Sequence, residues 1–186
     1  LNKICPVDKK ECTIPKFPLP CNICSRYILF VLYRTDPERK ESKIPSVNNI
    51  YKEKAILFAL EARNNAILIR SSHTKVGACV YTKTGDFYTG FNIQNYCHKS
   101  YHAEEIAMIN YLLSHRTASI DPIEGIVISF SDSDIRRLTF ACGHCRQILW
   151  EFTRNPDLLV TEIDLEGKIV KEVKLSELYP YPYPRD

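Results

Sequence analysis

From residue 49 onward the sequence predicts an α/β protein, a sheet with helices packed on its faces. Three observations carry that expectation. Hydrophobic periodicity switches between the helical and the strand repeat in the order α-β-β-α-β-α-β-β. All six glycines lie at Gly77 or later, two of them in turn-forming clusters. Two short runs of histidine, glutamate and cysteine each fall where a strand pattern gives way to a helix pattern.

Ala55, Ile56, Phe58, Ala59, Ala62, Ala66 and Ile67 recur at helical spacing, which predicts a helix over 49–70. Small and β-branched residues make 76–81 a strand. Thr84, Gly85 and Asp86 form a hairpin turn, and 87–93 is the returning strand. A second helix covers 103–113, mostly apolar through Ile106, Ala107, Ile109, Tyr111 and Leu113. Residues 125–130 read as a buried strand. A third helix over 142–152 places Ile148, Leu149 and Phe152 on one side. Strands over 158–164 and 169–173 close the pattern, turning at Glu166 and Gly167.

Composition narrows the function classes. The chain has 186 residues, 45% hydrophobic and 25% charged, which suits one globular domain with an appendage. A net charge of +3, with Lys and Arg scattered, does not argue for nucleic acid. The longest apolar run, 27–33, is far short of the roughly 20 residues that span a membrane. No basic stretch followed by an apolar run opens the chain, so no secretion signal is read and a cytoplasmic location is expected.

Residues 1–43 differ from the rest: four cysteines, several prolines, no glycine and a charged end over 35–43. A boundary near 44–50 divides the chain into a Cys-rich extension, 1–48, and a domain, 49–186. Cys5, Cys12, Cys21 and Cys24 could build an all-thiolate structural zinc site that staples a segment too small for its own core. Their spacing fits no standard finger, and a metal-free, solvated extension is the alternative. Four of the eight cysteines fall in C-x-x-C pairs, which favours metal ligation or free thiols over a disulfide framework.

The chemistry concentrates in His102, Ala103 and Glu104, followed by Cys142, Gly143, His144 and Cys145. Either run alone says little; a lone C-x-x-C could be a redox dithiol. Together, each opening a predicted helix, they offer one zinc three ligands: His102, Cys142 and Cys145. Three ligands leave the fourth tetrahedral position open to water, the mark of a catalytic rather than a structural zinc. Glu104 is placed to move protons. His144 is read as an outer or surface residue.

The pattern H-x-E, a long gap, then C-x-x-C resembles the signature of the zinc nucleobase deaminases. Residues 72–78 look like the S-H-F-P-V-G-A segment of the cytidine deaminase family. Residues 91–95 resemble its nucleoside-binding segment, 142–147 its P-C-G-x-C-R-Q run, and 175–183 its terminal segment. The resemblance implies a three-layer α/β/α cytidine deaminase-like fold with a mixed five-stranded sheet. It implies hydrolytic deamination of cytidine or deoxycytidine for pyrimidine salvage. In that scheme Glu104 takes a proton from water, protonates N3 and later passes a proton to the leaving amine. The N–H of Ala103 would hold the pyrimidine O2, the carbonyl of Phe140 or Ala141 the amino group, and Asn92 and Gln94 the ribose. A turn role is the alternative for Asn92.

Small family members are usually homotetramers, so a homotetramer or homodimer is expected. The aromatic, proline-rich tail from Tyr179 would be a docking segment, or else would pack on its own domain. Departures from the family pattern bear on substrate. Ala141 stands for proline, Thr74 and Lys75 for Phe-Pro, and Gln94 for glutamate, which no longer repels a phosphate. The competing readings are the same chemistry on another cytosine compound, such as a blasticidin-type antibiotic or a nucleotide, and a polynucleotide-binding deaminase module.

Overall fold

The computed structural model describes residues 47–69, 74–97, 99–115, 122–131 and 140–183. Most of the predicted extension, including Cys5, Cys12, Cys21 and Cys24, lies outside the described residues. In chain order the elements are α1 (Val47–Asn64), β1 (Val76–Thr82), β2 (Phe87–Phe91), β3 (Ile93–Gln94), β4 (Ser100–Tyr101), α2 (Ala103–Ser114), β5 (Ile123–Phe130), α3 (Gly143–Thr153), β6 (Leu159–Ile163), β7 (Ile169–Lys174) and α4 (Leu175–Leu178).

Five strands form one sheet in the order β2-β1-β5-β6-β7. Only β5 and β6 run parallel; the other three pairings are antiparallel, so the sheet is mixed. The central strands β1 and β5 are buried on both faces, which explains their near-continuous apolar sequences. Alternation along each strand sorts the two faces. Cys79, Tyr81, Val127 and Ile163 pack against Tyr51, Ala55 and Ala59 of α1. Ala78, Val80, Ile126, Ile128 and Val160 pack on the opposite side with Ala107, Met108 and Tyr111 of α2 and Leu149 of α3. The result is a three-layer α/β/α arrangement, the fold expected above. No helix among the described residues is long and apolar enough to cross a membrane.

Two glycines let the helices sit this close. A Cβ at Gly77 would fall 2.2 Å from both Ala59 O and Arg63 N of α1. A Cβ at Gly90 would fall 2.2 Å from Ala103 O and 2.4 Å from Ala107 N of α2. Both would be backbone collisions that no rotamer can relieve.

The structure adds a short helix, α4, that the sequence reading did not contain, and departs from that reading at the first helix and the second strand. The first helix ends at Asn64, not near 70. Ala66 and Ile67 continue the apolar period, but Ile67 N–H donates to Asn92 O at 3.1 Å and Ile67 O accepts from Gln94 N–H at 2.9 Å. Tertiary pairing outcompetes the helix there. The strand expected over 87–93 is broken at Asn92, leaving β2 and a separate β3 that pairs with β4. The Asn92 amide clasps the neighbouring chain: Val76 N–H donates to Oδ1 at 2.8 Å, and Nδ2 donates to Thr74 O at 2.9 Å.

Candidate active site

Two helix N-termini meet on the α2/α3 face of the sheet. His102 is the N-cap of α2, with Ala103 and Glu104 in the first turn. Cys142 is the N-cap of α3, with Cys145 in the first turn. Free N–H groups and the helix dipole make both ends hospitable to anions, including thiolate. Glu105 supports the first of them, its carboxylate accepting from His102 N–H at 3.2 Å.

The Sγ atoms of Cys142 and Cys145 each lie 3.4 Å from His102 Nδ1. The three donor atoms all fall within 4.8 Å of one another. Ligands at roughly 2.0–2.1 Å (nitrogen) and 2.3 Å (sulfur) on a tetrahedral zinc stand about 3.5 Å apart, so the cluster fits that ion. One imidazole and two thiols are also the donors zinc prefers. His144 does not join them; its Nε2 sits 3.7 Å from Glu105 Oε1 on the exposed side. Burial pushes the Cys145 thiol well above its ordinary pKa, with Glu104 and Cys142 adding to the rise. Metal binding acts the other way, because the thiolate is the form bound.

Glu104 is 5% exposed. Burial holds its carboxyl above the usual carboxylate range; its own backbone N–H, His102 and Cys145 pull the other way without cancelling the shift. It faces a cavity of about 230 Å³ whose walls include Asn92, His102, Ala103, Phe140 and Cys142. The remaining expected residues divide. Ala103 occupies the first position of α2, where the backbone N–H has no acceptor within the helix. Phe140 lines the cavity, whereas Ala141 is fully buried and its carbonyl accepts from Arg146 Nε at 2.6 Å. Asn92 lines the cavity with its amide already engaged by the backbone of 74 and 76. Gln94 sits on β3 and is not among the wall residues.

Val76, Ser100 and Phe130 also line the cavity and were not singled out from the sequence. Phe130 carried a readable signal: it ends the buried strand β5, and ligands in open α/β sheets gather beyond the carboxyl ends of strands.

Residues 50–160 match the family described as the cytidine and deoxycytidylate deaminase zinc-binding region. The chain belongs to that family. It is thus an enzyme of the deaminase superfamily, and zinc is its metal. Blasticidin-S deaminase from Bacillus cereus is 28% identical over 140 residues, covering 74% of this chain and 97% of that protein. The cytidine deaminase of Burkholderia pseudomallei superposes with a TM-score of 0.59 at 24% identity, covering 70% of this chain and 97% of the other. The cytidine deaminase of Mycobacterium tuberculosis gives 0.56 at 20%, covering 75% and 98%. At these identities the two structural likenesses establish the shared fold.

Proposed function

We propose that this family member hydrolyses cytidine and deoxycytidine to uridine and deoxyuridine, releasing ammonia, as a cytoplasmic salvage enzyme. One observation carries the reading: buried Glu104 stands in a cavity beside the convergent donors of His102, Cys142 and Cys145. His102, Cys142 and Cys145 would hold the zinc, which would supply a water with a pKa lowered to about 7. Glu104 would take one proton from that water and pass it to N3 as the oxygen bonds to C4; the proton left on that oxygen would then pass through Glu104 to the exocyclic amine as the C4–N bond breaks and ammonia leaves. A carboxyl raised by burial suits both directions of that transfer. The Ala103 N–H holds the pyrimidine O2. The Phe140 carbonyl holds the exocyclic amine; the engagement of the Ala141 carbonyl by Arg146 favours Phe140 for this task. Asn92 meets the sugar from the cavity wall, and Gln94 reaches it from β3, outside that wall.

The similarity to blasticidin-S deaminase supports a second reading, the same chemistry on another cytosine compound. Ammonia release from cytidine, deoxycytidine, cytidine monophosphate and blasticidin S, compared at equal concentration, separates the two. Highest kcat/KM on a free nucleoside supports the salvage reading; turnover of only the antibiotic or the nucleotide replaces it.

We further infer a homo-oligomer, a tetramer or dimer. Exposed Ile109 and Leu113 on α2, 43% and 58% accessible, are apolar side chains that a second copy would cover. Light scattering on the full chain tests this, and a monomer at all concentrations refutes it.

A further inference from the structure

We infer that Arg146 is a positioning residue, tying the loop that carries Phe140, Ala141 and Cys142 to the C-terminal segment. Its Nε donates to Ala141 O at 2.6 Å and its Nη1 to Leu178 O at 3.0 Å. Ala141 is fully buried between the cavity wall at Phe140 and the metal donor Cys142. Leu178 ends α4, a short helix rooted in the core through fully buried Leu175. One planar guanidinium therefore joins a loop 5 residues before it to a terminal segment 32 residues after it.

The next residue extends the link. Tyr179 OH donates to Gln147 Oε1 at 2.5 Å, and Gln147 Nε2 donates to the Tyr183 carbonyl. Adjacent residues of α3 thus hold 178–183 against the first turn of that helix, the turn that also carries Cys145. The C-terminal segment is a brace on the site, held by its own domain. Arginine is required because its fork presents two donors in a fixed plane; a lysine ammonium supplies the charge without that geometry.

The inference rests on zinc binding at His102, Cys142 and Cys145, and its test reads the metal directly. Zinc affinity by chelator competition, and the absorption spectrum of the cobalt(II) form at saturating metal, are compared for wild type, Arg146→Lys and Arg146→Met. A partner that hydrogen-bonds a metal ligand directly is worth about 10–100-fold in affinity; Arg146 acts one residue removed, through the Ala141 carbonyl, which sets a loss of severalfold to about tenfold. Both variants are expected to show that loss and an altered cobalt–thiolate spectrum. Full rescue by Arg146→Lys would overturn the bridging role and leave charge alone. An unchanged spectrum in both variants, with only a lower melting point, also overturns it, since general destabilisation moves stability and not ligand geometry. Tyr179→Phe, which leaves Arg146 in place, covers the case in which those variants fail to fold. Severalfold weaker zinc supports the brace, and wild-type affinity refutes it. Wild type that takes up no zinc at this site refutes the metal reading and the inference together; tight wild-type binding with unaffected variants refutes the inference alone.

Discussion

Replacing Gly90 by alanine asks how tightly the sheet controls the site. The new Cβ would lie 2.2 Å from Ala103 O and 2.4 Å from Ala107 N, both backbone atoms of α2. Ordinary contact requires the helix to retreat by about 1 Å. Overpacking of this kind costs roughly 1–3 kcal/mol, and the backbone partners place Gly90→Ala at the upper end. At about 2–4 °C per kcal/mol, the melting point falls by roughly 6–12 °C. The retreat also carries His102, Ala103 and Glu104, which occupy the start of the same helix. A misplacement of ~1 Å costs on the order of 10²-fold in rate. Gly77→Ala is the control. It collides equally closely with α1, at 2.2 Å from Ala59 O and Arg63 N, but α1 carries no site residue. Denaturant titration gives stability, and kcat/KM per folded molecule, measured well below the melting point, gives the site. Both variants are expected to lose similar stability, with the large rate loss confined to Gly90→Ala. Equal rate losses, or full activity in Gly90→Ala, would refute the coupling of α2 position to chemistry.

Glu104→Gln lowers kcat by roughly 10²–10⁴-fold while zinc content holds, and melting shows no loss of stability because the neutral amide replaces a carboxyl whose charged form burial penalises. Zinc uptake near neutral pH releases about two protons per ion, so affinity falls as pH is lowered; calorimetry in buffers of different ionisation enthalpy counts them. Burial pushes Glu162 up and Lys171 only partly offsets it, so its contribution is present below the unfolded pKa and lost as pH rises through the folded value. Glu162→Gln therefore gains stability over wild type at about pH 8 and not at about pH 4, read by denaturant titration. At Glu172 burial is outweighed by hydrogen bonds from Lys52 and Thr161, which leaves its pKa lowered. Its contribution is present above the unfolded pKa and lost as pH falls through the folded value, so Glu172→Gln costs stability near neutrality and the difference closes in acid. If Cys5, Cys12, Cys21 and Cys24 hold a structural ion, elemental analysis finds two zincs per chain and one after Cys21→Ser with Cys24→Ser; one zinc in wild type refutes that site.

Much of the architecture was legible because local and tertiary preferences agree. The apolar runs of β1 and β5 read as buried strands and are buried on both faces. The clustering of His102 with Cys142 and Cys145 followed from two motifs at strand-to-helix junctions, where folding brings helix N-termini together. What was not legible depends on contacts distant in sequence. Nothing local says that Ile67 pairs with β3, or that the Asn92 amide clasps residues 74 and 76. Both required knowing which segments become neighbours. The choice between Phe140 and Ala141 for a carbonyl role also lay beyond the sequence, because it turns on Arg146 reaching back across the first turn of α3. Glu162 illustrates the opposite case. A glutamate in a strand reads as solvent-facing, yet it is 2% exposed, with Oε1 unpartnered among the described residues.

The most direct test of the central claim is the fall in near-ultraviolet absorbance when cytidine or deoxycytidine is deaminated, followed with zinc-loaded wild type and with Glu104→Ala. Wild type is expected to lose absorbance and release ammonia, and Glu104→Ala to do neither. Zinc-loaded wild type that leaves both nucleosides unchanged would contradict the nucleoside assignment. Equal turnover by Glu104→Ala would contradict the proton-transfer role at the centre of the site.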